Sequence, residues 1–280
     1  MEFLNYRGIK MKLKKKGFLV KKPNVEDASS QFYTLSRQLD DHKLYSGLCH
    51  LAISNCNNKS NRAASFLNAA RAFSQARHEI ISIEDHIRAV VWIYTEALLI
   101  CDRSFIKPIC LEMGRFYETF NMHQQAAECF KQSMSISRCV YNLILAKQYQ
   151  IALDELKNCP SHLMTPKDHT SMFLLELLFY EDMDELCRNS LQQLLAKSRT
   201  SSIRGYIPVD DRLFDLTGLL ESLLILHKDR LNSAGSDAKS DKIKNSIIDK
   251  LSAFLDPAQT QLLHAITASA CYQSSTCCLD

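Results

Sequence analysis

Few side chains in this chain stand where chemistry would need them. Glu181 and Asp182, with Asp184 and Glu185, make a dense group of carboxylates, the raw material of general acid and base work. Four acids at the end of the apolar run Met172–Tyr180 fit a solvated face or the start of a next helix better. The histidines pair as His42 and His50, His78 and His86, and His162 and His169. Those gaps are too wide for the H-x3-H of a zinc site, and no paired cysteines accompany them. The reading is surface or cap histidines. Nor is there a G-x-S-x-G elbow, a G-x-G-x-x-G turn or a G-x4-G-K-[ST] loop. The expectation is a non-enzyme with no metal and no cofactor.

Eleven cysteines ask for a reading of their own. Cys49, Cys56, Cys101, Cys110, Cys129, Cys139, Cys159 and Cys187 are scattered mostly along apolar faces, and only Cys277 and Cys278 are adjacent. An odd count without a C-x2-C pair argues against a disulfide framework. Such cysteines behave as small buried hydrophobes and point to a reducing compartment. The start, Met1-Glu2-Phe3-Leu4-Asn5, lacks the apolar core of a signal peptide. No run reaches the roughly 18 apolar residues of a membrane helix. Stable membrane insertion is not expected, and the location expected is cytoplasmic or nuclear.

The elements are all helical in period. Of 280 residues 46% are hydrophobic, with only 7 Gly and 6 Pro, which suits packed helices better than sheet or disorder. Val25, Ala28, Phe32, Leu35 and Leu39 form a stripe at helical spacing, with Asn24 as its N-cap. Leu44, Leu48, Leu51, Ala52 and Ile53 suggest the returning helix. The polar run 55–61 then separates it from Ala63, Phe66, Leu67, Ala70 and Phe73. Ser82 with Asp85 reads as a capping box for a helix through Cys101.

The densest pattern lies between Ile109 and Ser133. Cys110, Met113, Gly114 and Tyr117 occupy the W-x2-L-G-x2-Y positions of a tetratricopeptide repeat, and Ala126 and Phe130 supply its A-x3-F. Glycine permits a close crossing, tyrosine wedges between the helices, and the small Ala126 and Ser133 leave room for Phe130. Ala152 and Leu156 repeat the second-helix pattern 26 residues after Ala126, short of the roughly 34 of a regular repeat. The fold expected is an all-α, tetratricopeptide-like solenoid, whose units must stack to bury their apolar faces.

Further on, Leu186–Leu195 and Leu213–Leu226 read as helices, with mobile loops expected near 198–208 and 232–240. The organisation is thus a basic arm over 1–24, a helical domain over 25–270 and a frayed tail over 271–280. Residues 1–24 hold eight Lys and Arg against Glu2, so they carry +7 and the remainder −4 of a net +3. Lys12, Lys14, Lys15, Lys16, Lys21 and Lys22 are the candidate partner-binding residues. An acidic protein groove, an anionic membrane or nucleic acid all suit such an arm. The interleaved Phe18, Leu19 and Val20 favour protein.

The run Lys12-Leu13-Lys14-Lys15-Lys16-Gly17-Phe18-Leu19-Val20-Lys21-Lys22-Pro23-Asn24-Val25, followed by Gln31-Phe32, resembles the opening of the family of the huntingtin-associated protein of forty kilodaltons. Ala69-Ala70-Arg71-Ala72-Phe73 resembles that family's A-A-R-L-F helix, and Leu262-Leu263-His264 its L-L-H element. The long Pro-rich insertion of vertebrate members has no counterpart here beyond Pro160 and Pro166, as in a short, invertebrate-like relative. The resemblance implies a helical scaffold held between the HEAT-repeat domains of huntingtin and linked to the recruitment of huntingtin to early endosomes by a Rab-type GTPase; nucleic acid is not an expected partner. The alternative is a tetratricopeptide-like trafficking adaptor of the soluble attachment protein kind.

Overall fold

Helix follows helix wherever the chain is described, which in this computed structural model is residues 2–14, 25–56, 59–76, 82–179, 246 and 248–276. No strand occurs among those residues. The chain divides into two compact units, Met1–Ser135 and Ile136–Asp280, where the periodicity alone reads as one continuous run of helices.

The first unit holds α1 (Glu2–Lys14), α2 (Val25–Gln38), α3 (Lys43–Cys56), α4 (Lys59–Gln75), α5 (Ile83–Ile100), α6 (Arg103–Glu118) and α7 (His123–Gln132). Each helix packs on the next through α5, and α6 pairs with both α5 and α7. Their termini follow charge and capping chemistry. Glu26 and Asp27 occupy the first turn of α2 and Arg37 its last, each sign facing the helix end that favours it. Ser82 caps α5, its side-chain oxygen accepting from Asp85 N at 3.4 Å. The buried residues Val90, Ile93, Tyr94 and Ala97 then line one face of α5 at three- and four-residue steps.

Three sequence readings change here. α4 begins at Lys59, inside the polar run expected to be loop. On α3 the buried face is Ser46, Gly47, Cys49, Ile53 and Ser54, while Leu44, Leu48 and Leu51 are half-buried. And residues 2–14 of the basic segment form a helix docked on α2, a contact that composition does not encode.

The second unit holds α8 (Ile136–Leu145), α9 (Tyr149–Lys157), α10 (Pro166–Leu178) and α11 (Pro257–Thr276). Pro166 opens α10 at the position that tolerates a missing N–H. Thr165 and Asp168 close a capping box, Asp168 Oδ2 accepting from Thr165 N at 2.8 Å and Thr165 Oγ1 from Asp168 N at 3.3 Å. Ser137 Oγ donates to the same carboxylate oxygen at 2.6 Å and so ties α8 to the start of α10. Gln259 Nε2 donates to Lys167 O at 3.0 Å and Gln261 Nε2 to Ile144 O at 2.9 Å. These bonds fix α11 against α10 and α8, around a core of Ile144, Leu156, Leu174, Leu175 and Leu177.

Candidate functional site

Phe130 is wholly buried, and the reason lies opposite it. A Cβ on Gly114 would stand 2.8 Å from Phe130 Cε1, 3.0 Å from Cζ and 3.1 Å from Cδ1. The ring of α7 therefore lies directly on the backbone of α6. Ala126 and Ala127 on the same helix are equally buried, Tyr117 closes the crossing at 8% exposure, and Ala152 is fully buried on α9.

The same device occurs earlier in the unit, where sequence reasoning missed it. A Cβ on Gly47 of α3 would collide with Cδ2 and Cε2 of Phe73 on α4. Ala69, Ala70 and Phe73 match Ala126, Ala127 and Phe130 in spacing, and Ala69 and Ala70 are fully buried. The available signal is the recurring A-A-x-x-F. It is masked because the residues around Gly47 that correspond to the large Tyr and Trp of a repeat are His50 and Lys43.

A second recurrence is in the turns. Asn121, Met134 and Lys147 have φ of 55°, 60° and 59° and follow one another at thirteen-residue steps. Each is bracketed by the same bonds. Met122, Ser135 and Gln148 donate N–H to the carbonyls of Tyr117, Phe130 and Leu143, at 3.1, 2.9 and 2.9 Å. This is the Schellman closure, which usually places glycine at the left-handed residue. None of the three is glycine; Met134 and Lys147 are held against a steric cost, which the short side chain of Asn121 lessens.

One polar contact joins two helices distant in sequence. Arg71 on α4 grips Glu112 on α6 with two hydrogen bonds of 2.9 and 2.6 Å, the forked geometry that makes such pairs the strong ones. Tyr94 lies beside it, its phenol pushed up to about 12 by burial and then by the Glu112 charge. His86 corrects the surface reading. It is 1% exposed, with its ring 5.8 Å from Phe116 and 5.7 Å from Phe120.

Burial pushes the thiols of Cys49 and Cys129 up to about 11 and about 12, away from the thiolate that reacts. Among the described residues no group of three His, Cys, Asp or Glu is placed to hold a metal ion, and no helix is long and apolar enough to cross a membrane. The carboxylates Glu181, Asp182, Asp184 and Glu185 lie outside the described residues, as do Cys187, Asn24 and both expected mobile loops.

Of the basic residues, Lys12 and Lys14 belong to α1, while Lys15, Lys16, Lys21 and Lys22 lie outside the described residues. Tyr6, Ile9 and Leu13 turn inward from α1, and Lys10 is exposed. Large apolar side chains also face solvent: Trp92 at 52%, Leu99 at 73% and Phe105 at 54%. Comparison with protein-family models and with curated proteins finds no match.

Proposed function

We propose that this chain is a non-enzymatic, tetratricopeptide-like solenoid scaffold that binds and stabilises huntingtin as a stoichiometric partner, linked to early endosomes through a Rab-type GTPase. The observation that carries the reading is the run Lys12–Val25, with its K-L-K-K, F-L and K-P-N-V elements in order. Two features of the described helices support a binding role. Trp92 on α5 offers an exposed aromatic of the kind that anchors protein interfaces. The apolar side of α1 is occupied by α2, so what it offers outward is charge suited to an acidic protein surface.

A partner that binds only the folded state stabilises it by mass action, by about 4 kcal/mol at a thousandfold excess over its dissociation constant. The chain should therefore accumulate with huntingtin and be depleted in cells that lack it. Immunoblotting of matched cells with and without huntingtin tests this. An unchanged level, with a soluble monomer, would overturn the proposal and leave the trafficking adaptor ahead.

A further inference from the structure

α1 has a weak claim to stand alone. It has thirteen residues, a length at which an isolated helix is marginal in water. Gly8 sits at its middle, exposed, with nothing within 4 Å of where a Cβ would stand. No turn or close approach demands glycine there, so the residue costs conformational entropy and gains no packing. Arg7, Lys10 and Lys14 also follow one another at three- and four-residue spacing, and like charges so placed disfavour a helix.

Among the described side chains, three hold α1 down. Tyr6, Ile9 and Leu13 share one face, and Ile9 joins a buried cluster with Ala28, Phe32, Leu35, Leu39, Cys49 and Ile53. The Tyr6 ring lies 5.4 Å from that of Phe32. Cys49 on α3, in that cluster, is fully shielded. Tyr6 is near enough to feel it, its phenol raised first by burial and then by the Cys49 charge.

We propose that α1 is a cap that undocks and unravels as a local step, without unfolding of the unit, and so uncovers the apolar face of α2 and α3 around Phe32 and Cys49. The device needs no hinge of special sequence. A helix that is stable only while docked has two states, and a ligand shifts the balance toward opening only if it binds the open form better than the docked one. This inference does not rest on the identity of the partner.

Cys49 is the built-in reporter. The full-length chain is exposed to a thiol-alkylating reagent, and the modified cysteines are followed in time by peptide mass spectrometry. Cys110 and Cys139, fully buried in α6 and α8, serve as references for larger openings. Cys49 is expected to react faster than both, with a rate nearly independent of low denaturant. Gly8→Ala adds helix propensity in open space and should slow Cys49 on the order of fivefold. Ile9→Ala should speed it at least roughly tenfold. Neither variant should alter Cys110. Equal rates for Cys49 and Cys110 across denaturant, or a Cys49 rate that ignores both variants, would overturn the cap.

Discussion

Replacing Gly114 by alanine sets two effects against each other at one atom. Alanine is favoured over glycine inside a helix by about 1 kcal/mol. The added methyl would stand 2.8–3.1 Å from three carbons of the Phe130 ring, well inside the roughly 3.5–4.0 Å at which carbons attract. Phe130 is fully buried, so its ring can move only by displacing its neighbours. Overpacking of this kind costs about 1–3 kcal/mol, so packing wins and the expected net loss is on the order of 1 kcal/mol. Leucine, with three more carbons at the same spot, should reach the upper end of that range. Phe130→Leu removes the ring carbons that the methyl meets first. In that background Gly114→Ala should cost little or even stabilise, leaving a coupling of about 0.5–3 kcal/mol. The chain's single tryptophan, Trp92, lies in α5 of the same unit as Gly114, so its fluorescence in urea reports the right transition. Strict additivity of the two changes, with Gly114→Ala as stable as the parent, would refute the close crossing.

Three further outcomes follow from other sites. Met134→Gly should raise the stability of the first unit by about 1 kcal/mol by removing the steric cost of a left-handed residue; Asn121→Gly should gain less, because asparagine tolerates that conformation, and urea melts of the two variants decide it. Burial raises the carboxyl pKa of Glu176, with Lys157 opposing. A raised acid contributes stability below the ordinary carboxylate range and loses it as pH rises through the folded value. Glu176→Gln should therefore raise the thermal midpoint at neutral pH, with the gain shrinking toward acid; a constant difference across pH would contradict it. Reversing Lys14, Lys15 and Lys16 to Glu should weaken co-purification with huntingtin, more at low salt where charges are less screened, and equal recovery at all salt concentrations would exclude the basic segment from the contact.

The helices themselves were legible because their signals are local. The stripe of α2, the Ser82 cap and the Ala126 and Phe130 spacing each need only residues within one or two turns of each other. Gly114 was readable for the same reason, since Met113 and Tyr117 flank it in a familiar pattern. Gly47 was not. Lys43, Ser46 and His50 surround it, and its value as a seat for Phe73 exists only once α3 and α4 cross. Asn121, Met134 and Lys147 carry no glycine to announce a left-handed turn, and the helix ends they close impose it. His86 looks like a polar surface residue until Phe116 and Phe120, thirty or more positions later, fold around it. Residues 2–14 read as part of a basic arm because Arg7, Lys10, Lys12 and Lys14 outnumber Glu2, and only the docking of Tyr6 and Ile9 on Phe32 makes them a helix of the body. Periodicity thus determined which segments coil and which side of most of them is apolar. Which side chains meet was decided by tertiary packing, because a contact depends on two distant residues arriving together and neither one encodes the other's position.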